Sequence, residues 1–314
     1  MKLVLPLLGT LLALMLSAAA RAAGDVKQFV PGALVNPTAF YPEGPQLIAK
    51  GLLVAEMPRN RVVLIDEGQI KTVWHAEGCG PTSIKKIPAG GYWVLCHLGH
   101  FVARLDENFA TIRIIEQTTS ARRIAWPNDA SVDSAGNLYL SSSGQFSLSA
   151  PPGGRVVFVD ERSNIASDLA GGLRYTNGVL VQEGKHRVLV SEHLKRRILA
   201  FPLVEPGKLG SPVVFFDFND APTIRDAYEQ SGPDGMASFT DGDICVADYG
   251  NGRIIVLSEN GRFLEQFLVQ YRFVTNMAIA KSQKSIFVMM TESNASPDLH
   301  GVVQEFKIKA TRRQ

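Results

Sequence analysis

One short phrase recurs six times along the chain: "PEGP" at 42–45, "PTSI" at 81–84, "PNDA" at 127–130, "TNGV" at 176–179, "PDGM" at 233–236 and "TNMA" at 275–278. Successive marks lie 39, 46, 49, 57 and 42 residues apart. An irregular period of that length is what propeller blades give, each blade being a small four-stranded sheet. The residues after each mark agree. After "PDG" come "MASFT", the turn "DGD", "ICVAD", the turn "YGNG" and "RIIVLSENG"; after "TNG" come "VLVQ", "EGKH", "RVLVSE", "HLKR" and "RILAFPL". Each unit is thus three short β-rich runs between Gly, Asn, Asp or charged turns. Stretches such as "KTVWHA" and "VVFFDF" supply a fourth strand, and no segment sustains a helical period. A β-sandwich would not repeat one three-strand phrase six times. The expected fold is all-β, a six-bladed β-propeller, with "KQFVPGALV" closing the ring beside the last blade.

The chain opens with Lys2, an apolar run from Leu3 to Leu16 and small residues from Ser17 to Ala23. That is the pattern of a secretory signal ending in an Ala-x-Ala site; an uncleaved anchor is the other reading. Residues 1–23 are assigned as signal peptide and 24–314 as a single domain, exported to the periplasm or secreted, with no membrane association after cleavage. Without Lys2 and Arg21 the chain holds 30 basic and 30 acidic residues. That balance argues against a nucleic-acid partner. Three cysteines are too few for a disulfide framework. Cys245, in "DICVAD", reads as a buried strand thiol. Cys79 and Cys96 both belong to the mouth of the second unit, either as a disulfide or as free thiols.

Stacking the units on their marks gives one column at the start of the first strand: Glu43, Thr82, Asn128, Asn177, Asp234 and Asn276. In a propeller the first strand of each blade lines the channel, so this column becomes a ring at its mouth. Asn and Asp are common turn residues before strands; six in register, one of them Glu, ask for more. A second column closes the second strand: Glu56, His97, Ser142, Glu192, Asp248 and Glu292. Clustered carboxylates are costly without a cation. Oxygen donors from two carboxylates and neutral amides suit a hard divalent ion, calcium first, and no pair of histidines has zinc-like spacing.

"YPEGP", "PND", "TNGV" and "GPDGM", in this order and with "LCHLGHFVARLD" after the second mark, resemble the SMP-30/gluconolactonase family of six-bladed propellers. The resemblance covers roughly residues 40 to 308 and implies a divalent metal at the channel mouth, calcium with zinc or magnesium as other occupants. Its ligands would be Glu43, Asn177 and Asp234, with Asn128 helping to bind metal or substrate. It also implies Asp234 as general base and places His97 in a second-blade "HG"-like motif, here "HLG". Lactone-hydrolysing members often carry an Arg two residues before the "ND" Asn. Here Trp126 stands there, which can stack on a ring but offers no guanidinium fork; Arg122 and Arg123 are its basic neighbours.

The expected activity is hydrolysis of a small-molecule lactone or ester. A metal-activated water would attack the carbonyl, Asp234 or Glu192 would accept a proton, Asn128 would stabilise the oxyanion, and His97 would protonate the leaving alkoxide. His97 as a packing residue is the alternative, and His100 and His193 are expected to be solvated. Trp126, Asn128 and Glu192 are the candidate substrate contacts. No G-x-S-x-G elbow is present. The polar stretch "NDAPTIRDAYEQ" before "SGPDGM" reads either as a mobile rim or as a simple surface insertion. A non-catalytic metal-bearing binding propeller and a strictosidine-synthase-like propeller are the competing functions.

Overall fold

The structure, a computed structural model, describes residues 26–224, 226–295 and 299–311. The segment read as a signal peptide, 1–23, lies outside the described residues. Six antiparallel sheets follow one another along the chain, each of the first five a meander of successive strands and the sixth taking its outer strand from the beginning of the chain. Blade 1 consists of Pro42–Ile48, Gly51–Glu56, Arg61–Asp66 and Gln69–His75. Blades 2 to 5 begin at Pro81–Lys86, Pro127–Val132, Thr176–Gln182 and Gly232–Ser238. In blade 4 the third strand, Arg197–Glu205, pairs at its start with Val213–Asp217 and at its end with a short extra strand, Lys208–Leu209. Each recurring phrase therefore opens the innermost strand of a blade, as the period predicts.

The last blade starts with Phe273–Ile279 and is finished by the other end of the chain. Val26–Phe40 pairs antiparallel with His300–Thr311, from Val26 opposite Thr311 to Phe40 opposite His300. The expected closure by "KQFVPGALV" is borne out, and its reason is physical. A ring of blades is stable only if its first and last members are joined, and strand addition does this while covering an edge. No described helix is long and apolar enough to cross a membrane.

The core lies between the blades. Alternate residues of each second strand face opposite neighbours: Tyr139 packs with Val188 and Val190 toward blade 4, while Leu138 and Leu140 pack with Trp93 and Leu95 toward blade 2. Both faces are covered, so second strands such as Tyr92–Cys96 and Leu138–Ser142 are buried throughout. This is why they read as unbroken apolar runs. Outermost strands such as Gln69–His75 are largely exposed.

Cys79 and Cys96 form a disulfide at the mouth end of blade 2, and Cys245 is a buried free thiol. The bridge closes a sequence separation of 17 residues, a loop for which chain-entropy arguments give about 3 kcal/mol. A Cys79→Ser/Cys96→Ser double variant is expected to lose about that much stability in denaturant unfolding. Reductant should lower the wild type to the same midpoint and leave the variant unmoved.

Candidate active site at the channel mouth

In every blade the pairing of first and second strands slips at the mark: between Glu43 and Gln46, Pro81 and Ser83, Pro127 and Ala130, Thr176 and Val179, Pro233 and Met236, and Val274 and Asn276. A slip of this kind bends the strand and re-aims a side chain. The recurring phrase is thus a bulge that turns one side chain per blade toward the axis. The glycine after three of the marks answers to crowding. A Cβ at Gly178 would run into the Asp234 carbonyl oxygen, and one at Gly44 into the backbone of Thr82 and Ser83. Hydroxyls tie the bulges together across blades: Thr82 Oγ1 donates to Pro127 O at 3.1 Å, Thr176 Oγ1 to Ser142 O at 2.9 Å and Thr275 Oγ1 to Pro42 O at 2.6 Å.

The first column is buried. Glu43, Asn177 and Asp234 are 5%, 3% and 3% exposed, and Asn128 and Asn276 are equally enclosed. Burial, then the charge of Asp129, pushes the Glu43 carboxyl well above its usual range; burial, then the charges of Glu43 and Asp129, does the same to Asp234. The Asp129 charge acts on both carboxyls, so the three acids lie near one another at the mouth. Asp129 is the member that the sequence reading missed. Its carboxylate accepts from Ser83 Oγ at 3.0 Å and lies 3.3 Å from the Lys85 ammonium. One carboxylate is thereby compensated, and two are not.

Two oxygens agree with the electrostatics. Asn177 Oδ1 and Asp234 Oδ1 are buried without any hydrogen-bond partner. Orphaned buried acceptors are uncommon and call for an occupant. Among the described residues no group of three His, Cys, Asp or Glu side chains is placed to hold a metal ion by itself, so any site here needs amide oxygen as well. The uncompensated set is two carboxylates plus amide oxygen, the donor chemistry of calcium or magnesium. The residues present therefore fit a hard divalent cation, with Glu43, Asn177 and Asp234 as the groups that would hold it.

A second ring stands one residue upstream. Tyr41, Trp126 and Tyr175 each precede a mark and have φ of 41°, 48° and 57°. Bulky residues avoid that left-handed region, and such strain collects at functional sites. Tyr41 Oη lies 3.0 Å from Tyr249 Oη, and Asn128 Nδ2 donates to Tyr175 Oη at 3.4 Å. Burial raises the pKa of all three phenols, with Asp234 adding to each. They stay protonated and can donate. Phe146 fills the space between Tyr175 and His193 with centroid distances of 4.8 and 5.4 Å. The upstream column 41, 126, 175 was open to the same alignment that exposed the first.

The second column does different work from the one expected. Glu56 pairs with Arg61 at 2.6 Å, Glu192 with Arg197 at 2.7 Å and Asp248 with Arg253 at 2.6 Å. In blade 3, Ser142 Oγ accepts from Arg155 Nη2 at 3.2 Å. Glu192 is 2% exposed and its other oxygen accepts from Arg174 N at 2.9 Å. Both of its carboxylate oxygens are thus engaged inside the blade, by Arg197 and by the Arg174 backbone N–H. Glu292, on the last blade, is exposed.

His97 is likewise engaged by the neighbouring blade. Its Nδ1 lies 3.2 Å from Pro127 O, and His193, two blades further on, has Nδ1 3.1 Å from Pro233 O. Each histidine follows a second strand directly and clasps the mark of the next blade. Burial lowers both to about 4. At neutral pH neither is the charged acid that the leaving-group role of His97 requires. His193 is 1% exposed, not solvated, and its Nδ1 lies 3.5 Å from Asn177 Nδ2. His100 Nδ1 accepts from the backbone Trp126 N at 2.9 Å, and its ring meets the indole edge-on at 5.1 Å.

A depressed histidine stabilises the fold fully above its unfolded pKa of ~6.5, and the contribution is lost as pH falls through about 4. His97→Asn keeps a donor for Pro127 O. It is expected to retain activity within about threefold, keep the neutral limb of the pH–rate profile, and flatten the fall of stability between pH 6.5 and 4. A lost neutral limb would return His97 to the chemistry.

The segment after Phe218 packs beside this site. Tyr228 meets Phe273 edge-on at 5.5 Å, and Gln230 O lies 2.9 Å from His193 Nε2. It is tied to the rim at both points.

Comparisons with known proteins agree with this architecture. The sequence model of the SMP-30/Gluconolactonase/LRE-like region matches residues 41–292. The lactonase drp35 of Staphylococcus aureus (strain USA300) is 25% identical over 211 residues, 65% of this chain. The match spans 61% of that relative's length. Among solved structures, a gluconolactonase from Xanthomonas campestris superposes with a TM-score of 0.72 at 17% identity, covering 92% of this chain and 99% of the other. A calcium-binding regucalcin from Agrobacterium tumefaciens gives 0.71 at 16%, covering 91% and 96%. At these identities the two structures establish the shared fold.

Proposed function

The chain belongs to the SMP-30/gluconolactonase/LRE-like family, and from that premise we propose that it is an exported hydrolase of lactones or related esters that works with a divalent cation at the channel mouth. The observation that carries the reading is the pair of uncompensated buried carboxylates, Glu43 and Asp234, beside the partnerless Asn177 and Asp234 oxygens. The names of the lactonase and gluconolactonase relatives support the reaction class, and the regucalcin name supports calcium. The Cys79–Cys96 disulfide supports export, since such bonds persist in oxidising compartments.

A divalent cation bound by Glu43, Asn177 and Asp234 would supply Lewis acidity toward the carbonyl and acidify a water. Asp234 takes the proton from the attacking water. A carboxylate positioned at the attacking water is a competent general base, and burial, then the charges of Glu43 and Asp129, keeps Asp234 above the usual carboxylate range in the cation-free site. As the water oxygen bonds to the carbonyl carbon, Asn128 Nδ2 and the Tyr175 hydroxyl are the available donors to the developing oxyanion. The ring C–O bond then breaks and the alkoxide recovers the proton from Asp234. Trp126 forms the wall against which the rest of the substrate lies.

The test is turnover of aldonolactones, simple γ-lactones and aryl esters, followed with a pH indicator. Chelator-treated protein is expected to be inactive and calcium to restore it. Activity on any of these substrates that survives complete chelation would contradict the cation-dependent scheme. Inactivity on the whole panel in the presence of calcium would favour a binding propeller.

A further inference from the structure

Beside the mouth, outside the carboxylate ring, lies a cavity of about 440 Å³ whose wall is shared with the site through Trp126. Arg122, Arg123 and Arg155 line it, and no acidic residue does. Arg155 is spoken for: it pairs with Asp168 and donates to Arg123 O and Ser142 Oγ. Asp168 is further engaged by Thr118 and Ser120. Arg122 and Arg123 are exposed, and their guanidinium groups have no carboxylate partner among the described residues. They border a concave space that also holds an indole.

The tryptophan is fixed. His100 takes the Trp126 backbone N–H, and Ser143 N donates to Trp126 O at 3.0 Å. The next two residues are Pro127 and Asn128, so one face of the loop belongs to the cavity and its continuation belongs to the channel. The two sides carry opposite charge. Glu43, Asp129 and Asp234 gather on the axis, and Arg122 and Arg123 stand across the tryptophan.

We propose that this cavity is an anion subsite, and that the substrate is a lactone or ester carrying a carboxylate. The arginines bind the carboxylate, Trp126 packs on the ring, and the scissile carbonyl is turned toward Asp234. The arrangement fixes orientation, because the carboxylate end is repelled by the channel acids and attracted by the arginines. Arg forks are suited to carboxylates. The substrate half of this proposal rests on the hydrolase reading above; the binding half does not.

The experiment pairs the γ-lactone 5-oxotetrahydrofuran-2-carboxylate with its carboxamide, on wild type and on Arg122→Gln/Arg123→Gln. A hydrogen bond to a charged group is worth a factor of about 10–100. Wild type should prefer the carboxylate by about that factor in kcat/KM, mainly through KM. The double variant should lose the preference and keep its rate on the amide. Non-hydrolysable tetrahydrofuran-2-carboxylate should quench wild-type tryptophan fluorescence more than its amide does, Trp74 and Trp93 being buried, and should do so less in the variant. Lactone turnover without carboxylate preference overturns the subsite and leaves the hydrolase reading standing. Carboxylate binding without turnover of any lactone upholds the subsite and overturns the hydrolase. Equal binding of acid and amide by wild type and variant overturns the subsite outright.

Discussion

If the proposed hydrolysis holds, Asp234→Asn is expected to lower kcat on lactones by about 10³-fold, within the range that loss of a positioned general base produces. The substitution is nearly isosteric and leaves an oxygen where the carboxylate stood, so its effect reports charge and proton transfer. A structural explanation predicts reduced stability as well. The site predicts the opposite in cation-free protein. Burial and the neighbouring Glu43 and Asp129 charges disfavour an ionised Asp234, so removing that charge should leave the melting temperature of chelated protein unchanged or higher. Calcium is expected to raise the wild type by several degrees and the variant by less, because binding energy adds to stability as a site saturates. An active Asp234→Asn enzyme would remove Asp234 from the chemistry, and a sharply destabilised one would make the activity loss uninformative.

Arg253→Leu has the largest effect expected on stability. Arg253 is 2% exposed, and its guanidinium bonds Asp248 Oδ2, Pro222 O and Gln266 Oε1, each at 2.6 Å. Among the described residues, truncation leaves the buried Asp248 carboxylate with Asn251 Nδ2 as its remaining side-chain donor. Breaking a buried pair from one side costs about 3–5 kcal/mol, which for a chain of this size lowers Tm by about 6–15 °C. Replacing both partners, Asp248→Leu/Arg253→Leu, should recover a good part of the loss, because no charge is then stranded. Below the transition, kcat/KM of Arg253→Leu should stay within about threefold of wild type. A selective collapse of activity in a stable variant would mean that the second column reaches substrate after all.

The fold could be read from the chain because a propeller repeats its punctuation. Each bulge needs residues that tolerate a break in pairing, and Pro, Asn, Asp and Gly mark it at every turn of the ring. The strand beginning at Val26 was recognisable as a closing element for the same reason: an all-β ring with free ends lacks a partner for one strand. The carboxylates and amides of the first column were legible as a set, since alignment on the marks brings Glu43, Asn177 and Asp234 to one place without any knowledge of distance.

Other features depend on contacts that alignment does not reveal. Asp129 lies one residue past the column and looks like the second half of a turn, and only the fold sets it against Glu43 and Asp234. Glu56, Glu192 and Asp248 looked like a ring of open acids because their register was visible and their partners were not. Those partners were in view at a constant offset, with Arg61, Arg197 and Arg253 each five residues on. An acid at a strand end followed by an arginine across a tight hairpin is an ion pair within the blade. His97 was judged by the intrinsic pKa of imidazole, whereas burial against the next blade decides its charge. The matching place of His193 after its own second strand was the signal that a shared structural duty explains both.

The central claim is that Glu43, Asn177 and Asp234 form one cation site. Calorimetric titration of chelator-treated protein with calcium near neutral pH tests it most directly. The expected result is saturable binding of one calcium per chain, abolished in Asp234→Asn and retained in His97→Asn. Absence of binding in the wild type, or undiminished binding in Asp234→Asn, would contradict it.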